Sequence, residues 1–454
     1  MNRIMIAGTN SGCGKTTVTC ALLQALVNRA INVGAFKCGC DYIDPIFHSR
    51  VIGVPSHNLD NFFCDKHTMH FILENAKCDA GIIEGVMGFY DGIEEKYSSF
   101  SVAVQTKTPV ILVIDCKGMS MSIGAVMQGF MNFRRYNNIV GFIFNRLPEK
   151  LLSQAKTLCQ EMNAEYFGYL PYDKTVTIES RHLGLSTATE LTTLSEKLHT
   201  LSVFAEKHLC IDKILQYARK AEDTVGFFHH RTAVGKPLHI AISYDEAFSF
   251  LYSDNVDFLK RSGCEILYFS PLKDKEIPEN ADGLIITGGY PELYAETLSQ
   301  NLNMRQSIRK KILTDKIPTI AECGGFMYLH QSLQSYDGKY YPMTGVLNGN
   351  CFQTKKLQNF GYAKLYAKSD NLLCRKGEYL KVHEFHYWNS THNGNDFQAV
   401  KVSSQQKYDC VHADNTLYAG YPHLYFYGNA ENIFRFLEKC EAYRDGKNTT
   451  DTTV

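Results

Sequence analysis

Ile4-Met5-Ile6-Ala7-Gly8-Thr9-Asn10-Ser11-Gly12-Cys13-Gly14-Lys15-Thr16-Thr17 decides the fold of the first half of this chain. Four apolar residues of strand type run into a glycine-rich loop. Beyond the loop, Val18, Ala21, Leu22, Ala25 and Leu26 recur with the period of a helix. A strand, a glycine loop and a helix N-terminus together make a cradle for phosphate, because the loop turns its N–H groups inward and the helix adds partial positive charge. ATP is the expected ligand, held by Gly12, Gly14, Lys15, Thr16 and Thr17. Lys15 reaches the β- and γ-phosphates, and the Thr16 hydroxyl is a ligand for Mg²⁺. From Gly8 to Gly14-Lys15 the loop is one residue longer than the usual Gly-x4-Gly-Lys form.

Working outward, strand-type runs at residues 33–37, 80–84, 110–115, 139–145 and 166–170 alternate with helical stretches. Such alternation predicts a doubly wound parallel sheet, with ligands at the carboxyl ends of its strands. Carboxylates stand at those ends. Asp41 and Asp44 follow the second run, and Glu84 and Asp91 follow the third. Asp44 and Glu84 join Thr16 as expected metal ligands, since Mg²⁺ takes oxygen donors and keeps several waters. Asp41 and Asp91 are placed to orient a second substrate. Asn145 ends the fifth run, where it can read the adenine edge. Arg181 and His182 form a basic loop suited to substrate carboxylates.

The second half carries a different chemistry. An apolar run at residues 317–321 leads into Glu322-Cys323-Gly324-Gly325 and then a helix. Small residues around a cysteine between strand and helix permit a strained turn that presents the thiol, with the helix N-terminus lowering its pKa. Upstream, Thr287-Gly288-Gly289 ends another strand, and the amides of Gly289 and Gly324 are the expected oxyanion hole. His423, just past a late apolar strand, is the expected general base for Cys323. His383 and His386 compete for that role. Their cluster lacks a third ligand at metal-site spacing, and Cys13, Cys38 and Cys40 form no zinc pattern.

The domains expected are residues 1–186, an ATP-binding amide-ligase domain; 187–237, a helical extension and linker; and 238–446, a glutamine amidotransferase domain. A frayed tail, 447–454, follows. The chain of 454 residues is 44% hydrophobic and has 47 basic and 47 acidic side chains. That balance excludes a disordered chain and a nucleic-acid binder working by bulk charge. Fifteen cysteines without a framework spacing fit a reducing compartment. With no apolar run long enough for a membrane span and no leader at the start, a cytoplasmic protein is expected.

The motifs GTNSGCGKTT, KCGCDYIDP, EGVMGFYDG, SRHLGL, ITGGYPELY, AECGGFMYL, HEFHY and YPHL occur here in order. On them the chain resembles the cobyrinic acid a,c-diamide synthase family: cobalamin-type glutamine amidotransferases whose ATP domain is similar to dethiobiotin synthetase. The likeness covers essentially the whole chain. It implies an α/β architecture, an N-terminal doubly wound P-loop domain plus a C-terminal class I glutamine amidotransferase domain. It also implies a thioester on Cys323 assisted by His423, and metal and substrate carboxylates at Asp41, Asp44, Glu84 and Asp91. The implied reaction amidates the a and c carboxylates of cobyrinic acid through a phosphorylated intermediate, with L-glutamine as nitrogen donor and an internal passage for ammonia. A homodimer is the expected assembly, without nucleic acid or membrane as partner.

Two departures stand out. Cys40 replaces the proline usual before Asp41-Tyr42-Ile43-Asp44, and Tyr425 stands where most class I glutaminases carry a glutamate. Tyr425 is not a carboxylate, so the site reads as a Cys–His dyad. The rival substrates are hydrogenobyrinic acid and nickel sirohydrochlorin. Cobyric acid synthase shares the architecture but is less similar around Asp41 and Asp91. The remote rival is a nucleotide switch of the chromosome-partitioning type with an inactive glutaminase as a docking module.

Overall fold

The computed structural model describes residues 1–172, 188–231 and 236–451. It divides into two compact units, Met1–Phe228 and His229–Val454. In the first, β1 (Asn2–Gly8), β2 (Val33–Cys38), β3 (Ser56–Leu59), β4 (Ala80–Glu84), β5 (Val110–Asp115), β6 (Ile139–Asn145) and β7 (Glu165–Leu170) form one sheet in the order β3-β2-β4-β1-β5-β6-β7. Every pairing in it is parallel. β1 and β4 are neighbours at the centre, so the phosphate loop and Glu84 emerge side by side. The sequence reading missed β3, whose Ser-His-Asn-Leu has neither an apolar run nor a clean alternation. It forms because β2 offers it a parallel partner, Ala35 opposite Ser56 through Cys38 opposite Leu59.

The helix Lys15–Asn28 buries Val18, Ala21, Leu22, Leu23, Ala25 and Leu26. Against it, in the same core, pack Leu198, Leu201 and Ala205 of the helix Ala188–His208 and Ile211 and Ile214 of the helix Ile211–Ala218. Arg29 donates to Glu206 and to Asp212 at 2.7 Å each, fastening the two helices at the surface. The stretch read as an extension and linker is thus, in its helices, part of the first unit's core. Its polar composition belongs to the solvent face of an amphipathic pair.

The second unit has two sheets. β8 (Leu238–Ser243), β9 (Cys264–Phe269), β10 (Gly283–Ile286), β11 (Thr319–Glu322), β18 (His412–Ala413) and β19 (Leu417–Gly420) run in the order β18-β19-β11-β10-β8-β9. All pairings are parallel except β18 with β19. The other sheet holds β12 (Ser332–Gln334), β13 (Tyr340–Pro342), β14 (Asn350–Ala367), β15 (Tyr379–Ser390) and β20 (His423–Leu424) in the order β13-β12-β14-β15-β20, with β16 (Phe397–Lys401) on β14 and β17 (Lys407–Cys410) on β16. β11 lies between β10 and β19, and β20 pairs with β15 so that His423 stands opposite His383. The last helix, Ala430–Asp451, runs on into the stretch read from sequence as a frayed tail, 447–454. No described helix is long and apolar enough to cross a membrane.

Candidate functional sites

The phosphate loop turns on glycine. Gly12 and Gly14 have φ of 77° and 102°, backbone that side chains with a Cβ rarely adopt. Gly14 caps the helix that begins at Lys15. Lys15 is buried, and its ammonium donates to the Asn10 carbonyl at 3.0 Å across the loop. Asn145, expected at the adenine edge, is brought to the loop itself, where its amide donates to the Cys13 carbonyl at 2.9 Å.

Beneath the loop lies a buried charge cluster. The Thr16 hydroxyl donates to Glu84 Oε1 at 2.7 Å. Lys37 Nζ bonds both Asp44 and Glu84, the latter at 2.9 Å, and stands 3.9 Å from Asp41. His48, wholly buried on the helical turn His48–Ile52, lies 3.5 Å from Glu84 Oε2 and 3.3 Å from the Ser56 hydroxyl. Burial works against the Lys37 charge, but Asp44 and Glu84 outweigh it and hold the ammonium above its ordinary pKa. Burial likewise pushes Glu84 up, and Lys37 and His48 overcome that to hold it below the usual carboxylate range.

Thr16, Asp44 and Glu84 therefore share one cluster, linked through Glu84 and Lys37. They offer only oxygen donors, which suits Mg²⁺. Among the described residues no group of three His, Cys, Asp or Glu side chains is arranged to hold a metal ion alone, so such an ion would keep waters or take phosphate oxygens. Asp91 is exposed at the same end of the sheet and accepts from the Gly88 amide at 2.9 Å. Arg181 and His182 lie outside the described residues. Lys37 and His48 were not singled out from sequence. Lys37 sits in an otherwise apolar strand, and its position at the carboxyl end beside Glu84 was the available signal.

In the second unit Cys323 has φ 47° and ψ −104°, a left-handed turn between β11 and the helix Gly324–Leu329. Its N–H donates to the Gly420 carbonyl of β19 at 2.8 Å, which fixes the elbow to the sheet. Close approach dictates the glycines around it. A Cβ on Gly288 would stand 2.6 Å from His423 Cε1 and 3.4 Å from Cys323 Cβ, so the two side chains flank one glycine. A Cβ on Gly324 would stand 2.9 Å from the Gly289 nitrogen, which sets the two expected oxyanion donors side by side.

The structure departs from expectation at the thiol. Cys323 is not exposed, at 4% accessibility. Burial and then Glu292 push its pKa up, and the Gly324 N–H offsets only part of this. A six-residue helix does not outweigh burial among carboxylates, so the thiol depends on a base to ionise. Burial lowers His423 to about 3, with His386 adding to the effect, so its imidazole is neutral and able to accept a proton, although the same burial weakens it as a base.

A carboxylate the sequence reading did not name also reaches His423. Glu322 Oε2 lies 3.4 Å from His423 Nδ1, and Oε1 accepts from the Leu424 amide at 3.2 Å. Tyr425 turns its hydroxyl to Asp254 at 2.9 Å. His386 sits apart from the base position, bonded through Nε2 to Glu384 at 3.1 Å and stacked on Tyr421 at 3.8 Å. Glu292 is a second buried carboxyl near the thiol, and its Oε2 has no hydrogen-bond partner among the described residues.

Each unit is similar to a known family. A family model described as the CobQ/CobB/MinD/ParA nucleotide binding domain matches residues 4–185. One described as the CobB/CobQ-like glutamine amidotransferase domain matches residues 239–431. The cobyrinate a,c-diamide synthase of Clostridium acetobutylicum is 38% identical over 440 residues, covering 95% of this chain and 98% of its own. That of Clostridium tetani is 37% identical, covering 97% and 100%, and that of Thermoplasma volcanium 37% identical, covering 97% and 98%.

Proposed function

The chain belongs to the cobyrinate a,c-diamide synthase family, ligases that form carbon–nitrogen bonds with glutamine as donor, and from that premise we propose that it amidates the a and c side-chain carboxylates of cobyrinic acid. A carboxylate does not react with ammonia as it stands, because hydroxide is a poor leaving group. ATP removes that obstacle. The carboxylate oxygen attacks the γ-phosphorus, ADP leaves, and the acyl phosphate formed exchanges phosphate for ammonia.

Lys15 and the amides of the loop hold the phosphates, Thr17 supports them, and Asn145 braces the loop through Cys13. Thr16, Asp44 and Glu84 would hold Mg²⁺, which would supply positive charge to offset that of the phosphates. Asp41 and Asp91 orient the macrocycle, and Arg181 and His182 are the proposed partners of its carboxylates. Nitrogen comes from the second unit. His423 takes the thiol proton, the Cys323 thiolate attacks the glutamine amide, and the amides of Gly289 and Gly324 receive the oxyanion. Ammonia leaves with the proton from His423, and water hydrolyses the thioester to glutamate. The residue ranges read as domains, 1–186 and 238–446, divide the work accordingly, and a homodimer in the cytoplasm is the proposed setting.

The observation that carries this reading is the Cys323 elbow facing His423 across Gly288, in one chain with an intact phosphate loop. Mass spectrometry of products from cobyrinic acid, ATP, Mg²⁺ and glutamine tests it, with hydrogenobyrinic acid and nickel sirohydrochlorin as parallel substrates. Two carboxyl-to-amide exchanges on cobyrinic acid are expected. Four further exchanges on the diamide, or exchange on another macrocycle only, would reassign the substrate.

A further inference from the structure

We propose that Glu322, the residue immediately before the nucleophile, is the carboxylate that positions His423 and completes a triad. The proposal rests on the reading of Cys323 and His423 as the glutaminase pair. Its basis is geometric. One Glu322 oxygen stands 3.4 Å from His423 Nδ1, and the other accepts from the amide of Leu424, the next residue along the chain. A single carboxyl thus faces the imidazole and grips the strand that carries it. Both side chains are nearly inaccessible, at 2% for His423 and 7% for Glu322. With Nδ1 toward Glu322, the Cε1 edge of the ring faces Gly288, the glycine that Cys323 also flanks.

The other carboxylates nearby are committed elsewhere. Glu384 bonds His386 Nε2 through one oxygen and the Tyr408 hydroxyl through the other. Asp254 accepts from Tyr425, the residue at the position where a glutamate was sought from sequence. Glu292 stands on the thiol side, where it acts on Cys323.

The proton path balances. Ionised Glu322 accepts a hydrogen bond from Nδ1–H, which leaves the other ring nitrogen, Nε2, bare. Nε2 takes the Cys323 proton as sulfur attacks the amide carbon, and Glu322 stabilises the imidazolium. That proton then leaves with ammonia as the C–N bond breaks. A protonated Glu322 would instead donate to Nδ1 and fix the proton on Nε2, the wrong tautomer for a base. Burial raises the Glu322 carboxyl to about 8, partly offset by the Leu424 amide. The other titratable groups around the pair are Cys323, Glu292, His383, Glu384, His386 and Tyr418. The contact of 3.4 Å is of the kind that tightens when substrate closes the site.

Glutamine hydrolysis and ammonia-dependent amidation are to be measured in parallel for the full-length protein, Glu322→Gln, Glu322→Ala and Cys323→Ala. Both Glu322 variants should lower kcat for glutamine hydrolysis by about 100-fold or more, with KM within about 3-fold and ammonia-dependent amidation unchanged. The rise of wild-type hydrolysis as pH passes about 8 should be absent from Glu322→Gln. Hydrolysis by Glu322→Gln within about 3-fold of wild type would overturn the proposal. Hydrolysis by Cys323→Ala would instead overturn the glutaminase reading beneath it. Should either Glu322 variant lose ammonia-dependent amidation as well, nitrogen NMR of histidine-labelled wild-type protein at about pH 9 decides. A His423 signal, assigned by its loss in His423→Ala, with the proton on Nδ1 supports the triad. One with the proton on Nε2 refutes it.

Discussion

Both units bury carboxylates at strand ends, and they treat them in opposite ways. In the first, Lys37 stands between Asp44 and Glu84, with His48 behind, so part of the negative charge is offset inside the protein before any ligand arrives. In the second, Glu322 and Glu292 are buried with no cation beside them among the described residues, and burial lifts each to about 8. The contrast follows the chemistry each site is proposed to perform. A phosphate site works on charges present throughout, and there a resident ammonium holds Glu84 ionised, while burial and the neighbouring Glu84 push the Asp44 carboxyl up. A thioester site moves a single proton from sulfur through the imidazole to ammonia and has no standing phosphate charge to hold.

The largest expected effect breaks the link between the two sites. Cys323→Ala removes the sulfur at the elbow, so glutamine hydrolysis should fall to background, while amidation of the macrocycle with ammonium at mildly alkaline pH should survive. Steady-state assays with the two nitrogen sources check this. A folded Cys323→Ala protein that uses neither source would refute separable sites. Lys15→Ala gives the mirror image, losing amidation with both sources because activation fails, at a transition-state cost on the order of 3 kcal/mol. Lys37→Met tests the balanced cluster. It strands two buried carboxylates and should destabilise the protein by about 3–5 kcal/mol, read as a fall in the denaturation midpoint of the full chain. A midpoint within error of wild type would show that Lys37 does not carry the balance assigned to it.

The same contrast explains what was legible in the sequence. The phosphate loop, Asp44 and Glu84 could be read because a strand, a glycine loop and a helix are local, and the strand ends of a parallel sheet converge by topology. The Cys323 elbow was legible for the same local reason. β3 was not, because its pairing with β2 is tertiary and its residues carry no period. Lys37 and Glu322 escaped for a common cause. Each ends an apolar strand, where a charged residue reads as a solvated end, and only the closed structure shows that it is buried against a partner from another strand. The sequence places Tyr425 two residues after His423, whereas the structure brings Glu322 to within 3.4 Å of the imidazole from the strand before Cys323.

The smallest expected effect sharpens the comparison without touching the proton path proposed for Glu322. Glu292 is enclosed, its Oε2 has no hydrogen-bond partner among the described residues, and burial raises its carboxyl to about 8, against about 4.3 for an exposed glutamate. The folded protein therefore holds a proton that the unfolded chain releases above about pH 4.3. Wherever the folded state binds more protons, stability falls as pH rises, so the contribution of neutral Glu292 is complete below about pH 4.3 and is lost progressively toward pH 8. Glutamine keeps the size and removes the proton. Glu292→Gln should therefore flatten the decline of the melting midpoint across this window and melt a few degrees above wild type at about pH 8, with little difference at about pH 5. Scanning calorimetry of both proteins at several pH values checks it. Parallel curves would mean that Glu292 is ionised and compensated in the fold, and the contrast between the two units would then rest on Glu322 alone.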